Sequence, residues 1–264
     1  MTRVLRKFKI LLGVFYANML QYRAEMYLWV LSGIMPFFMM GLWMKVSAGS
    51  GYAMTPVDFA RYYLAVFIVR QVTLVWVVWE FEYHVVQGRL SPYLLQPMNP
   101  AWRFVLSHIG ERFARFPFLV AMVVIFFLIY PAALWLPRWH DAVLALIAMI
   151  MAFAVRFIMQ YTFAMIAFWA ERANRIEDLW FLSYLFLSGF MAPLDVFPPL
   201  VRTIALWTPF PYLVYMPAQL LTGRCDPAML VYGFPVMAAW GAVFLGIWWI
   251  AWKRGLRHYS AMGA

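Results

Sequence analysis

The sequence predicts an all-α integral membrane protein with six transmembrane helices, and three observations carry that expectation. Hydrophobic residues make up 66% of the chain and charged residues only 12%, a balance that leaves too little charge to cover a soluble surface. Apolar runs recur at about the 20-residue length that a helix needs to cross the hydrocarbon core. The short segments between them carry most of the Lys and Arg, so the formal charge of +10 reads as a membrane orientation bias rather than a nucleic-acid surface. Six spans with modest loops use up residues 1–264 as one transmembrane domain and leave no room for a soluble catalytic domain.

In chain order, residues 1–23 read as an interfacial amphipathic helix, with Val4, Phe8, Leu11, Phe15 and Met19 at helical spacing and Arg6, Lys7 and Lys9 to the side. The charged start followed by an apolar run imitates a signal peptide. The run Asn18-Met19-Leu20-Gln21-Tyr22-Arg23 lacks the small residues of a cleavage site, so the helix is expected to stay. The first span is expected over residues 26–44, kinked at Pro36. Residues 59–79 form the second, apolar except for Arg70 and Gln71, with Glu80, Glu82 and His84 at its exit.

Residues 87–100, QGRLSPYLLQPMNP, interrupt the apolar pattern and cannot lie in lipid. Leu90, Tyr93, Leu94 and Met98 fall near helical spacing, Pro92 suits a first helical turn, and Pro97 and Pro100 stop the helix soon after. Arg103, Arg112 and Arg115 then flank a helix leading into the third span, residues 116–136. The fourth, 142–170, carries Arg156 near its middle, and Glu171, Arg172, Arg175, Glu177 and Asp178 make a mixed-charge inner turn. The fifth, 179–194, is short and broken by Gly189 and Pro193. Residues 195–223, punctuated by proline, are expected to dip into the outer leaflet as a re-entrant hairpin, tolerable where protein or water covers the backbone. The last span, 229–252, carries Ala238, Ala242 and Gly246 as a small-residue stripe suited to close packing. With both termini inside, only Lys45, Arg61, Arg138, Arg202 and Arg224 fall outside, which agrees with the positive-inside rule.

The pattern Gly88-x-Leu90 and Leu94-Leu95-x-Pro97, preceded by Glu80 and Glu82, resembles the coupling segment of type-2 ATP-binding-cassette exporter permeases. The run LSGFMAPLDVFPPLVRTIALWTPFPYLVYMPAQLLTG resembles the same family's late region, a fifth helix followed by a re-entrant outer hairpin. The acid-rich stretch before Gly88 is thinner here than in many members, with His84 and Val85 in its midst. The resemblance implies that Gly88, Leu90, Tyr93, Leu94, Leu95 and Pro97 form a short cytoplasmic coupling helix on a separate ATPase, with Glu80 and Glu82 supporting it. It also implies that the N-terminal helix meets the ATPase, and that the permease pairs with a second, identical or homologous permease in the inner (cytoplasmic) membrane. The substrate, a drug-like or lipid-linked amphiphile, would leave between the second and fifth helices. ATP and Mg would sit on the partner.

Arg70 and Arg156 lie nearest the membrane midplane, where an insertion cost of about 2.5–3.5 kcal/mol requires protein or water around them. They suit either an anionic group of a substrate, or backbone carbonyls and an acid on a second subunit. No acid is expected at their depth. Trp76, Trp79, Phe181 and Tyr184 suit an aromatic wall for that pathway, which would also accommodate a lipophilic cation, or ordinary packing.

No G-x-x-x-x-G-K-[ST] phosphate loop, H-E-x-x-H pair or G-x-S-x-G elbow occurs, so the chain is expected to bind no cofactor or metal and to hydrolyse no ATP itself. Cys225, the single cysteine, excludes a disulfide framework and reads as a free thiol in a loop or an intersubunit bridge. The alternative to an exporter is an ATP-independent secondary transporter or channel, which calls for an intramembrane acid or an internal repeat, and neither is legible.

Overall fold

The structure, a computed structural model, describes residues 2–21, 28, 33–48, 54–170 and 172–259 of the 264. Every regular element among them is helical. These are α1 (Thr2–Gln21), α2 (Met35–Ser47), α3 (Pro56–Thr73), α4 (Val77–Val86), α5 (Ser91–Leu94) and α6 (Pro100–Ile129), then α7 (Trp139–Ala164), α8 (Asn174–Leu187), α9 (Pro199–Trp207), α10 (Phe210–Leu213), α11 (Tyr215–Leu221) and α12 (Pro227–His258).

Among the described residues, four segments are long and apolar enough to cross a membrane. They are Pro56–Val86, which joins α3 and α4, Pro100–Ile129, Trp139–Phe168 and Pro227–His258. Residues 26–27 and 29–32 of the expected first span lie outside the described residues. In what is described, Pro36 sits in the first turn of α2, where its missing N–H costs nothing, so it opens this helix instead of kinking it. The fifth expected span is represented by α8, 14 residues long, which stops before Gly189. The third belongs to one unbroken helix, α6, that starts at Pro100 and ends before Pro131.

Local signals account for most helix boundaries. Thr55 and Asp58 form a reciprocal capping box at the start of α3, with Pro56 in the first turn. Asn99 and Asp226 cap α6 and α12, each side chain accepting a backbone N–H two residues on. Gly189, just past α8, has φ 87°, and a Cβ there would lie 2.7 Å from Tyr62 Oη and 2.8 Å from Tyr215 Cβ, so only glycine fits. Tyr62 donates to the Gly189 carbonyl at 2.6 Å, and the Tyr63 hydroxyl and Trp43 indole both donate to Met191 O.

The bundle is built around α3 and α7, the helices with the most buried faces. One core, at the end away from Gly88, gathers Tyr62, Tyr63, Tyr184, Phe190, Tyr212 and Met216. A second, at the Gly88 end, gathers Phe81, Leu90, Phe104, Tyr161 and Phe168. The short helices α10 and α11 are almost wholly buried against α7 and α3, which suits an apolar, proline-broken segment covered by protein. The small-residue stripe of α12, Ala238, Ala242 and Gly246, lies on an exposed face of this single chain. The face that packs inward carries Gly233, Met237 and Gly255, where Tyr212, Met216 and Phe168 press against the two glycines.

Candidate functional site

At the end of α4, Gln87 closes the helix and Gly88 adopts φ 66°, a left-handed turn that reverses the chain. Leu90 then plugs fully into the core formed by Val78, Phe81, Val85 and Phe104. Four residues, Ser91–Leu94, form α5, with Pro92 in its first turn as the spacing requires. The helix ends before Met98, so the expected amphipathic face is shorter than predicted. Tyr93 is fixed between His84, at 5.0 Å, and Arg103, at 4.3 Å from its ring. Ser91 Oγ lies 3.2 Å from Tyr259 Oη. Leu94 and Leu95 point away from the bundle, Leu95 being 87% exposed, and Pro97 is exposed beside them. A buried leucine thus anchors a rigid knob whose outer face is apolar.

The N-terminal helix α1 crosses the adjoining part of α6 at Gly110, where a Cβ would come 3.1 Å from Phe15 Cβ. Phe8 meets Trp102 edge-on at 5.5 Å, and Arg103 lies over the Phe15 ring. Arg103 therefore bridges α1 and α5. Glu82, on α4, accepts the Asn174 N–H at 2.7 Å and so pins the start of α8 to the end of the second span.

That second span is broken at Leu74–Trp76, a feature without a glycine or proline to announce it. Arg112 supplies the reason: its guanidinium donates to Val72 O, Leu74 O and His108 O. His108 accepts the Trp76 N–H on Nε2 at 3.1 Å, while its Nδ1 faces Phe104 O at 2.8 Å. These groups satisfy the carbonyls and the N–H that the break would otherwise strand in the bundle.

The six residues expected along the pathway divide between two places. Arg156, 2% exposed, lies 5.0 Å from the Trp180 ring and 4.6 Å from the Tyr184 ring, and those two rings stack at 5.1 Å. Phe181 stacks on Tyr184 from the outer side, and Arg70, from α3, lies over Phe190 at 5.1 Å. Trp76 and Trp79 line a separate cavity of about 500 Å³ with Glu80, Glu111 and Arg115.

One acid packs against the helix that carries Arg156. Glu177, 3% exposed, accepts a 2.6 Å hydrogen bond from Gln160, one turn along α7 from Arg156, and lies close enough to feel that charge. The mixed-charge run reads as an inner turn, but Glu177, Trp180 and Tyr184 share one helical face, and that spacing is the signal for a polar group turned inward. Gln160, Trp180, His108 and Glu111 are the other residues that sequence reasoning missed. Among the described residues, no group of three or more His, Cys, Asp and Glu side chains is placed to hold a metal ion.

Compared with known proteins, the chain matches no curated protein. The family model described as ABC-2 family transporter protein matches residues 26–263, nearly the whole chain. The apolar spans and this match agree, and the chain belongs to the ABC-2 family of transporter proteins, as a membrane permease component.

Proposed function

We propose that the chain is the permease subunit of an ATP-driven exporter that moves a hydrophobic or amphiphilic compound, drug-like or lipid-linked, out of the cytoplasm or its membrane leaflet. It works as a dimer with a second permease, and separate ATPase subunits carry the ATP and Mg. The observation that carries this reading is the knob at Ser91–Leu94, anchored inward by Leu90 and apolar outward at Leu94 and Leu95. A leucine pair held out in water by a rigid turn is expensive unless another protein covers it.

Closure of the ATPases would press on this knob and on α1. Because Leu90 is wedged against α4 and α6, the push passes to α4. Glu82 carries it on to α8 through Asn174, so the two elements beside the pathway residues Arg70, Trp76, Trp79, Arg156, Phe181 and Tyr184 shift together. Both termini are cytoplasmic in this account. Glu177 is the kind of acid that a proton-coupled transporter would use, and it keeps that second reading testable.

Mild-detergent purification from native membrane, with mass spectrometry of stoichiometric partners, tests the proposal. The expected result is an ATPase containing a phosphate loop, lost when Leu94 and Leu95 are both replaced by Asp. Recovery of the permease without any ATPase, together with uptake driven by a proton gradient and abolished by Glu177→Gln, would replace the exporter with the secondary transporter.

A further inference from the structure

We propose that the cavity between α4 and α6 binds organic cations, with Glu80 as the carboxylate that selects their charge. Its role in transport, though not its binding of cations, rests on the exporter reading above.

The cavity has about 500 Å³, within the range that takes a drug-sized ligand, and its walls include the indoles of Trp76 and Trp79. Its acids outnumber its bases, two carboxyl groups to one guanidinium. Glu111 is committed, paired with Arg115 and accepting the Trp76 indole N–H at 3.1 Å. That pair is neutral as a unit. Glu80 is different: its Oε2 is buried and takes no hydrogen bond among the described residues.

The nearest basic atom to Glu80 is His108 Nδ1, at 3.8 Å. His108 supplies no positive charge, because its Nε2 must be unprotonated to accept the Trp76 N–H, and its one proton then sits on Nδ1 facing Phe104 O. Two indoles, Trp76 with the Arg115 guanidinium over its ring at 5.1 Å, and one carboxyl group whose buried oxygen takes no hydrogen bond among the described residues therefore meet in one recess, where a bound cation would favour the ionised carboxylate. Both features favour a positive, flat or bulky aromatic ligand and oppose an anion of the same shape.

Reachability agrees. Trp79 is 43% exposed and the Glu80 side chain 35%, so the recess is open to whatever surrounds the helix bundle. Glu80 stands about 12 Å along the helix from the Gly88 turn, at 1.5 Å per residue. A ligand there would touch α4, the same rigid element that the knob ends.

Tetraphenylphosphonium and tetraphenylborate, ions of matched shape and opposite charge, test the proposal. Equilibrium binding to the full-length permease, purified with whatever ATPase accompanies it in lipid nanodiscs, is measured against empty nanodiscs. Saturable binding of the phosphonium and none of the borate is expected. Glu80→Gln should weaken phosphonium binding by at least about tenfold, a change of roughly 1.4 kcal/mol, and Glu80→Asp should largely restore it. Equal binding of the two ions, or a folded Glu80→Gln protein that binds like wild type, overturns the inference. If Glu80→Gln does not fold, the comparison of the two ions on wild type decides alone. Charge-selective binding in a preparation with no ATPase sinks only the exporter reading, and an intact ATPase complex without charge selectivity sinks only this one.

Discussion

Arg112 and Arg156 sit in successive long helices, each with its guanidinium over an aromatic ring, and differ in where their N–H groups go. Arg112 gives its donors to backbone carbonyls, closing the break at Leu74–Trp76. Arg156, more deeply buried, lies against Trp180 and Tyr184, and its Nε and Nη1 take no hydrogen bond among the described residues. An arginine in a membrane bundle is costly in both cases. The first recovers the cost through hydrogen bonds that the fold cannot spare, which marks a structural part. The second holds a polar group in reserve among aromatic faces beside Glu177 and Gln160, which is what a pathway for a changing occupant needs.

The largest effect that separates them should come from Arg112→Ala. Two helix-end carbonyls, Val72 O and Leu74 O, would lose their partner where water is scarce, at about 1–3 kcal/mol each. A fall of about 5–20 °C in the detergent melting temperature, or loss of the monodisperse peak in gel filtration, is expected. Arg156→Met should cost only about 1–2 kcal/mol, the worth of desolvated cation–ring contacts, while transport in sealed vesicles falls sharply. If Arg156→Met melts as early as Arg112→Ala, the two arginines are alike and the pathway role of Arg156 fails.

The smallest effect sharpens the same contrast from a distance. Cys225 lies in the loop between α11 and α12, where burial, with Asp226 and Asp141 nearby, pushes its thiol up to about 11. Only the thiolate reacts with maleimide, so labelling at neutral pH should be slow and should rise about tenfold per pH unit until the pH approaches that value. Arg112→Ala, by loosening the bundle, should speed labelling at pH 7, whereas Arg156→Met should leave it at the wild-type rate.

What the residues disclosed in advance follows the same division. Local chemistry was legible: the Gly88 turn, Pro92 at the start of α5, the end of α8 before Gly189, and the apolar runs all act within a few positions of themselves. The 74–76 break was not, because Leu74, Val75 and Trp76 are ordinary helix residues and the cause sits on α6, in Arg112 and His108. Glu177 was misread because charge density along the chain hides which face each charge occupies. The stripe Ala238, Ala242 and Gly246 was legible as a run of small residues, but which small residues of α12 meet the rest of their own chain, Gly233 and Gly255, depends on Tyr212, Met216 and Phe168, which lie elsewhere in the sequence. The cavity joins residues of α4 to residues of α6, so no single segment contains its pattern.

The central claim is that the exposed apolar knob after Gly88 is where an ATPase pushes, and one measurement tests it most directly. A photo-crosslinking amino acid placed at Leu95, in the full-length protein in its native membrane, reports what covers that side chain. The same amino acid at Leu128, exposed near the opposite end of α6, serves as the control. The account predicts that Leu95 yields an adduct to a phosphate-loop ATPase and that Leu128 yields none. Adducts at Leu95 to lipid alone, with no protein partner, would contradict it.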